Sequence, residues 1–391
     1  MSDVVIVEAA RTAVGKRRGG LSGMNATDLF SEVLRAVVDR AGIESSMVEQ
    51  VTAGCVNQVG QQGGNIARNA WLTAGLDQGV GASTIQAQCG SAQQAFTLAY
   101  GMIAGGLVQT AVAGGVEVMS QVPMTATVIP EFGPSRTKRY EEHYEIVTQF
   151  QAADRIATAW GLTREQLEEF AVLSQSRAAE AIAAGRFASQ IVPVQAPAVG
   201  EAAPFEATVT IAVDEGPRPT TREGLAGLKL NRAGEADALH TAATSSQISD
   251  GASALLLMSE QRSAALDLTP RARVVDSVLV GSDPEMNLTG PMPATQRILE
   301  RNYMTLDDID VIEVNEAFAA VVLAWAHDLK SDLSNVNVNG GAVALGHPLG
   351  ATGGVLITKC LNELERTGGR YGLVTMCVGG GMGTATVIER L

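Results

Sequence analysis

Residues 339–353 read NGGAVALGHPLGATG, and this stretch decides how the fold is interpreted. Five of its fifteen residues are glycine, and its one ionisable side chain is that of His347. With so few side chains, the backbone can approach a reacting group closely. A histidine that only fills a hydrophobic core does not need that setting. The stretch therefore indicates an active site, and the strands and helices on either side of it must position this site.

Strand and helix patterns alternate on both sides of this stretch. Upstream, an apolar strand at 310–314 is followed by Asn315 and by a helix from Ala317. Downstream, an apolar strand at 373–376 is followed by Cys377 and then by a run rich in glycine. Further elements are predicted as strands at 273–280 and 385–388 and as a helix at 295–301. This part of the chain therefore has the pattern of an α/β unit.

The beginning of the chain shows the same alternation. The pattern predicts strands at 4–7, 51–56, 84–87 and 109–113, the last ending at Gly114-Gly115, and helices ending at Gly42, over 66–72 and from about Ala92. Cys89 lies between a predicted strand and the helix from Ala92. Free N–H groups and the dipole at a helix N-terminus favour an anion, so this position predicts a reactive thiol with a lowered pKa.

The middle of the chain, residues 120–247, lacks this rhythm. It begins with a polar, irregular segment, continues with a long helix opened by Thr163 with Gln166 three residues on, and is rich in Pro, Ala and Thr over 192–219. We therefore expect it to be an inserted, largely helical and loop subdomain. The first half then covers 1–119, completed by about 248–268, and the second half covers 269–391. The repeat of the two halves is inferred from the order of their elements.

The composition is that of a globular protein, with 46% hydrophobic and 18% charged residues. A chain of 391 residues exceeds the usual range of a single core, which agrees with two core units. Lys and Arg number 28 against 42 Asp and Glu, so the net charge of −14 disfavours nucleic acids and anionic membranes as partners. Neither a signal segment nor a membrane-spanning apolar run is recognised, and a cytoplasmic protein is predicted.

The four cysteines have no paired spacing, so neither a disulfide framework nor a metal site is predicted. A single cysteine is most often a buried, inert thiol, and only a partner group favours a reactive one. Asn315 taken alone is explained as a helix N-cap. The glycines after Cys377 are explained either as a turn or as backbone N–H groups that hold an oxyanion.

Taken together, these positions resemble the thiolase family. The motifs are CGS at Cys89, GGVEVMSQVP at 114–123, NEAF at Asn315, GGAVALGHPLGATG at 340–353 and CVGGGMG at Cys377. They stand in the family's order, in a chain of the family's length. The resemblance implies duplicated α/β halves in a five-layer αβαβα arrangement with an inserted loop subdomain. It also implies an acyltransferase that acts as a 3-ketoacyl-CoA thiolase.

The resemblance implies a two-step exchange. His347 takes the proton of Cys89, whose thiolate attacks the 3-keto carbon of a 3-ketoacyl-CoA. Cys377 protonates the departing acetyl-CoA or propionyl-CoA enolate and later deprotonates a second CoA, which removes the acyl chain from Cys89. One oxyanion site is implied at His347 with a water held by Asn315, and another at the backbone N–H groups of Cys89 and Gly379.

The resemblance also implies binding contacts and an assembly. Ser246 is expected near the pantetheine of CoA, Arg218 near its nucleotide end, and Phe318, Gln149 and Phe150 beside the substrate. CoA is then a co-substrate, and no permanently bound cofactor and no metal are implied. The N-terminal halves pair about a two-fold axis, so at least a homodimer is expected, with pairing of dimers into a homotetramer left open.

The substrate prediction depends on departures from the family pattern. Relatives specialised for acetoacetyl-CoA carry a Met-Gly pair in the region that here reads QFQAAD at 149–154. Where the common form has Asn-Ala-Ser-Gly, this chain reads TSSQIS at 244–249. These variants look closest to actinobacterial thiolases that shorten sterol side chains. Degradative thiolysis of long or bulky 3-ketoacyl-CoA is therefore predicted, because a reshaped wall suits a larger acyl group.

Three alternatives are weighed against this prediction. A short-chain acetyl-CoA acetyltransferase, which makes acetoacetyl-CoA, uses the same catalytic groups. A catalytically silent, thiolase-like lipid-binding protein would keep the fold without the chemistry. A ketosynthase pairs its cysteine with two histidines, and it is disfavoured because His143, His240 and His327 have no glycine-rich setting like that of His347.

Overall fold

The computed structural model describes residues 3–199 and 207–391. The strands are β1 (Val4–Thr12), β2 (Gly15–Lys16), β3 (Gln50–Gly54), β4 (Gly81–Ile85), β5 (Thr110–Val118), β6 (Ile191–Val192), β7 (Val194–Pro197), β8 (Thr208–Ile211), β9 (Ser249–Ser259), β10 (Ala272–Gly281), β11 (Val311–Val314), β12 (Tyr371–Val378) and β13 (Met382–Arg390). The α-helices are α1 (Ala26–Ala41), α2 (Ile66–Thr73), α3 (Ser91–Ala104), α4 (Lys138–Glu141), α5 (Gln149–Ala159), α6 (Arg164–Ala183), α7 (Arg222–Ala226), α8 (Glu260–Ala265), α9 (Pro291–Arg301), α10 (Ala319–Leu329), α11 (Ala342–Leu345) and α12 (Thr352–Thr367). Within these residues, no helix is long and apolar enough to cross a bilayer.

The strand order shows that the two halves repeat one pattern. The sheet runs β11-β12-β13-β10-β1-β9-β5-β3-β4. In the first half β3 is parallel to β5, β5 pairs antiparallel with β9, and β9 pairs antiparallel with β1. In the second half β11 is parallel to β12, β12 pairs antiparallel with β13, and β13 pairs antiparallel with β10. The duplicated α/β halves predicted from element order are therefore confirmed.

The helices complete the five predicted layers. One apolar core joins α1 and α2 to strands of the first half, and another joins α9 and α10 to strands of the second half. Between the two sets of strands lie α3 and α12, which pack against each other and against strands of both halves. Among the described strands, direct pairing between the halves is confined to β1 and β10, through Val5 with Arg273 and Ile6 with Ala272. The central helices therefore carry most of the contact between the halves.

Local sequence signals explain where the main helices begin and end. The Asn25 side chain caps α1 by accepting the Thr27 N–H, and Gly42 ends the helix in the left-handed conformation at φ 67°. The capping box predicted for Thr163 and Gln166 opens α6. These ends orient the helices that cover the sheet and the inserted region.

Several element boundaries differ from those predicted, among them the end of β5 and the start of α10. Strand β5 does not stop at Gly114-Gly115 but continues to Val118. Glycine is needed there, because a Cβ on Gly114 would lie 2.1 Å from the Ser253 carbonyl oxygen and one on Gly115 would lie 2.0 Å from that of Gly350. Helix α10 begins at Ala319 with Phe318 as its N-cap residue, two residues later than predicted.

The inserted region contains helices, as predicted, and also strands that the sequence did not reveal. Strands β7 and β8 form an antiparallel ribbon within the stretch rich in Pro, Ala and Thr, of which 200–206 lies outside the described residues. Strand β6 pairs with β1 of the main sheet. Helices α5 and α6 pack against α10, and α6 also packs against α11. The insertion is thus joined to the second half near Asn315 and His347; the predicted domain boundaries stay a prediction.

Candidate active site

Cys89 is presented by a short turn between β4 and α3. Gln88 before it has a positive φ of 47°, and Gly90 after it is the N-cap residue of α3. A Cβ on Gly90 would lie 2.7 Å from a Val378 methyl group, so glycine lets the turn pack against β12. The position just before a helix is the one predicted, and the thiol is buried, with 3% exposure.

The expected lowering of the Cys89 pKa is wrong. The pKa of the thiol is raised to about 11, mainly by burial and in smaller part by the charge of Glu117. Hydrogen bonds from the backbone N–H groups of Gly379 and Cys89 and from the Gln149 side chain act in the opposite direction but do not outweigh burial. The two N–H groups predicted as an oxyanion site therefore do converge at this sulfur.

His347 is held in one tautomer by its neighbours. Its Nδ1 lies 2.6 Å from Thr352 Oγ1, and the Thr352 hydroxyl donates to the Pro348 carbonyl at 2.8 Å. Because that hydroxyl proton is already used, Nδ1 carries the hydrogen and Nε2 keeps its lone pair. Burial lowers the pKa of His347 from 6.5 to about 4, which keeps the imidazole neutral. Nε2 is thus available to accept a proton.

Asn315 lies beside His347 and is not a helix cap. Its Nδ2 is 3.3 Å from His347 Nε2, and its side chain is fully buried. Among the described residues, Oδ1 has no hydrogen-bond partner. An amide with one committed and one unused polar atom next to a base suits the predicted role of holding a water.

Cys377 lies within β12. The sequence pattern had placed it after the strand. The thiol is fully buried, and its pKa is raised by burial and by the proximity of Cys89. The Gly380 and Gly381 N–H groups after it donate to Asn287 Oδ1, at 2.6 and 3.2 Å. The glycine run is therefore a fixed turn, which leaves the Gly379 N–H directed at Cys89.

These groups surround a small cavity of about 70 Å³. Its lining residues are Cys89, Met119, Met124, Gln149, Phe150, Ser245, Ser246, Gln247, Ile248, Leu288, Ala317, Phe318, His347 and Leu349. Six of the predicted residues therefore line one cavity: Cys89, His347, Ser246, Phe318, Gln149 and Phe150. Asn315 and Cys377 do not line it but lie next to His347 and Cys89, respectively. Apart from His347, no histidine lines this cavity in the described chain, which disfavours a ketosynthase.

A wider cleft of about 390 Å³ continues outward from the cavity. The two spaces share Phe150 and the segment 245–248, and the outer one adds Arg218, Lys16 and Arg17. Three cationic side chains around one cleft are notable in a chain with a net charge of −14. Arg218 is exposed at this cleft.

Aromatic contacts fix one wall of the cavity. Phe318 meets Phe150 edge to face with ring centroids 5.5 Å apart, and it meets His240 in the same way at 5.5 Å. His240 Nδ1 is bound at 2.7 Å to Asp154 of α5. The Ser246 N–H donates to the Ala317 carbonyl at 2.9 Å. The insertion and the start of α10 thus form one wall.

Several residues around the site were not predicted. Lys16 and Arg17 belong to a basic GKRR run that could have been noticed as a candidate phosphate contact. Thr352 and Glu117 lie inside two of the quoted motifs, but no pattern showed that they orient His347 and the adjoining loops. The partners of Glu117 are distant in sequence, so only the fold reveals its contacts. Thr352 is close to His347 in sequence, but their contact depends on the fold of the turn between them.

Comparison with known proteins assigns the family. The profile described as "Thiolase, N-terminal domain" matches residues 4–261, and the profile described as "Thiolase, C-terminal domain" matches residues 268–390. The chain belongs to the thiolase family. This thiolase is accordingly an acyltransferase, and the family, fold and enzyme class predicted from its motifs are confirmed.

Individual relatives match this thiolase along its whole length. It is 46% identical to a steroid 3-ketoacyl-CoA thiolase of Mycobacterium tuberculosis, covering 100% of this chain and 95% of the relative. It is 40% identical to a beta-ketoadipyl-CoA thiolase of Acinetobacter baylyi and 41% identical to a 3-ketoacyl-CoA thiolase of Vibrio cholerae, each with 100% of both chains covered. The crystal structure of the Bacillus anthracis acetyl-CoA acetyltransferase superposes with a TM-score of 0.90 at 37% identity, covering 100% of this chain and 99% of that one.

Proposed function

We propose that this thiolase cleaves 3-ketoacyl-CoA substrates with long or bulky acyl groups, in lipid or sterol side-chain degradation, through an acyl group carried on Cys89. The observation that carries the proposal is the cavity in which Cys89 and His347 meet an otherwise largely apolar wall. Its wall includes Met124 and Phe150, whose exposures of 47% and 41% mark the outer end of the cavity. The similarity to a steroid thiolase and to 3-ketoacyl-CoA thiolases supports it.

The proposed first step transfers a proton within a neutral pair. At rest Cys89 is a thiol and His347 a neutral imidazole, because burial raises the pKa of the first and lowers that of the second. His347 Nε2 takes the proton as the sulfur attacks the 3-keto carbon, and the bond between C2 and C3 breaks. Cys377 protonates the C2 carbanion, which leaves as acetyl-CoA or propionyl-CoA.

The second step releases the acyl group. A free CoA thiol, deprotonated by Cys377, attacks the acyl carbon on Cys89. The bond between the Cys89 sulfur and this carbon breaks, His347 returns its proton to Cys89, and the acyl group leaves as a shortened acyl-CoA. The oxygen on C3, which becomes the oxygen of the acyl group on Cys89, is stabilised in both steps by the N–H groups of Cys89 and Gly379. The charge on the thioester oxygen of the departing enolate is stabilised by His347 and by a water held at Asn315. CoA acts as a co-substrate in this scheme.

The two parts of the site suit the two ends of the substrate. The outer cleft offers Lys16, Arg17 and Arg218 to the phosphates and nucleotide of CoA, and Ser246 lies where the pantetheine would pass. The inner cavity is too small to enclose a long chain. A bulky acyl group would therefore extend past Met124 and Phe150, where apolar contact contributes roughly 25 cal/mol per Å².

A thiolysis panel of short, long and ring-bearing 3-ketoacyl-CoA tests the substrate proposal. We expect kcat/KM for the best long or ring-bearing substrate to exceed that for acetoacetyl-CoA at least about tenfold, or about 1.4 kcal/mol in transition-state binding. Met124→Ala should lower this ratio, whereas Phe132→Ala should not, since Phe132 is 83% exposed and does not line the cavity. Equal or higher efficiency with acetoacetyl-CoA than with every larger substrate would favour the short-chain acetyltransferase.

The assembly is proposed to be at least a homodimer formed through the N-terminal halves. Strand β4 is the last strand of the sheet, and among the described residues it pairs only with β3. Its residues are only partly buried, unlike those of the central strands. An open sheet edge of this kind can pair with a second copy across a two-fold axis.

Light scattering at micromolar concentration should therefore give a mass of at least twice 40.6 kDa. A mass of four chains would add the pairing of dimers that the sequence left open. A monomer across the whole concentration range would contradict the proposal. The cytoplasmic location stays a prediction from the sequence.

A further inference from the structure

Glu117 is a buried carboxylate that the reaction scheme above does not use. It lies near the end of β5 with 0% exposure. Oε2 accepts the N–H groups of Val56 at 2.9 Å and Gly350 at 3.0 Å. Oε1 accepts the Asn57 N–H at 3.1 Å, Asn57 Nδ2 at 3.3 Å and Gln62 Nε2 at 2.8 Å. In the described chain it forms no ion pair with a cation, which is unusual for a buried acid.

All five of these contacts are donors, which decides the charge of Glu117. The Gln62 amide cannot turn to offer its oxygen, because Oε1 already accepts the Val118 N–H at 2.8 Å. Asn57 Nδ2 forms the longest of these contacts, at 3.3 Å, and the other four donors offer no acceptor for a hydrogen on Glu117. The geometry therefore favours the ionised carboxylate, although burial raises its pKa. Only a group that accepts at both oxygens fits this position.

The donors belong to two segments that enclose the nucleophile. One segment, 56–62, follows β3, and the other is the glycine-rich stretch in which Gly350 stands three residues after His347. Val56 and Leu349 pack with Cys89 in one apolar cluster. A Cβ on Gly115 would lie 2.0 Å from the Gly350 carbonyl oxygen, so this stretch rests directly on β5.

We propose that Glu117 is a positioning residue that fixes the His347 segment and the wall around Cys89 relative to each other through its five hydrogen bonds. The inference rests on the roles proposed above for Cys89 and His347. The distance between a base and its nucleophile matters steeply, since a displacement of about 1 Å can cost roughly 100-fold in rate. Glu117 supplies a connection between the first half, which carries Cys89, and the second half, which carries His347.

Glu117→Gln is the sharpest test, because the amide NH₂ of glutamine would replace one acceptor oxygen and face N–H groups that also donate. We expect kcat to fall about 100-fold while KM stays within about threefold, as for lost positioning in the transition state. Glu117→Asp keeps an acceptor-only group with a shorter reach, and its kcat should lie between those of Gln and the parent. Asp276→Asn is the matched control: Asp276 is also buried, at 5% exposure, and accepts from Arg301 and Asn302 at a distance from the cavity.

The pH dependence of Cys89 alkylation by iodoacetamide gives a readout that a purely structural role would not move. Ionisable groups around Cys89 are Cys377, His347 and Glu117. Removing the negative charge of Glu117 favours the thiolate, so the alkylation midpoint of Glu117→Gln should shift to lower pH. Glu117→Asp retains the charge, and its midpoint should stay with that of the parent.

The outcomes separate this proposal from the proposed function. If kcat of both Glu117 variants stays within about threefold of the parent and the midpoint does not move, the proposal is overturned. If Glu117→Gln does not fold, the Asp variant decides, with a tenfold or larger loss of kcat at constant KM in support and an unchanged kcat against. If the parent cleaves no substrate, the proposed function fails, whereas the alkylation midpoints still test Glu117.

Discussion

Cys89→Ala is expected to abolish both acyl-enzyme formation and thiolysis, with a loss of kcat of at least about 10⁴-fold. No other thiol lines the cavity in the part of the chain that the structure describes, so no group remains to carry the acyl chain. Intact-mass spectrometry after incubation with a simple acyl-CoA, together with a thiolysis assay, measures both effects. An acyl adduct on Cys89→Ala would contradict the assignment of the nucleophile.

Two further cysteine variants complete this experiment. Cys377→Ala should still form the adduct from a simple acyl-CoA, because that step does not require protonation of a carbanion, but it should turn over poorly. Cys360→Ala is the matched control, since Cys360 is equally buried but lies on α12 with its thiol against β11. Iodoacetamide should label Cys89 of the parent in a way that acyl-CoA prevents; a silent lipid-binding relative would show no such protected thiol.

His347→Ala should cost about 10³-fold in kcat/KM, within the range for a general base. The base acts in its neutral form, which predominates above its pKa. Because burial lowers that pKa to about 4, the acid limb of kcat/KM should lie well below pH 6.5 for as long as the protein stays folded. A pH profile of the parent from 4 to 8 measures this limb.

The control for this variant is His327→Ala, because His327 is exposed on α10 and lies outside the cavity. Its kcat/KM should equal that of the parent. A His347→Ala variant that kept activity within tenfold of the parent would show that another group removes the Cys89 proton. An acid limb near pH 6.5 would instead show that the imidazole is solvated during turnover.

Most of the fold could be predicted because it depends on local patterns. The alternation of apolar strands and amphipathic helices, with Gly42 and the Thr163 capping box as boundaries, defined the two halves. The end of β5 was missed because glycine pairs usually signal a turn, whereas Gly114 and Gly115 serve close packing. The β7–β8 ribbon was hidden by a Pro-rich composition.

Only those site residues that belong to recognisable sequence motifs could be predicted. Cys89, His347, Asn315 and Cys377 stood in recognisable sequence settings, and the fold brings them together. The pKa of Cys89 was wrongly predicted because the helix after it is visible in the sequence, whereas the burial that dominates is not. Glu117 was missed because its partners reach from Val56 to Gly350, and such distances in sequence give no local signal.

The division of the site between two halves has a consequence for protein synthesis. Cys89 leaves the ribosome long before His347, which belongs to the second half. Until α12 docks beside α3, the thiol has neither its proposed base nor the Gly379 N–H group. On the proposed roles, a growing chain therefore carries a thiol that cannot yet react with acyl-CoA, and the enzyme becomes competent only when the second half has folded.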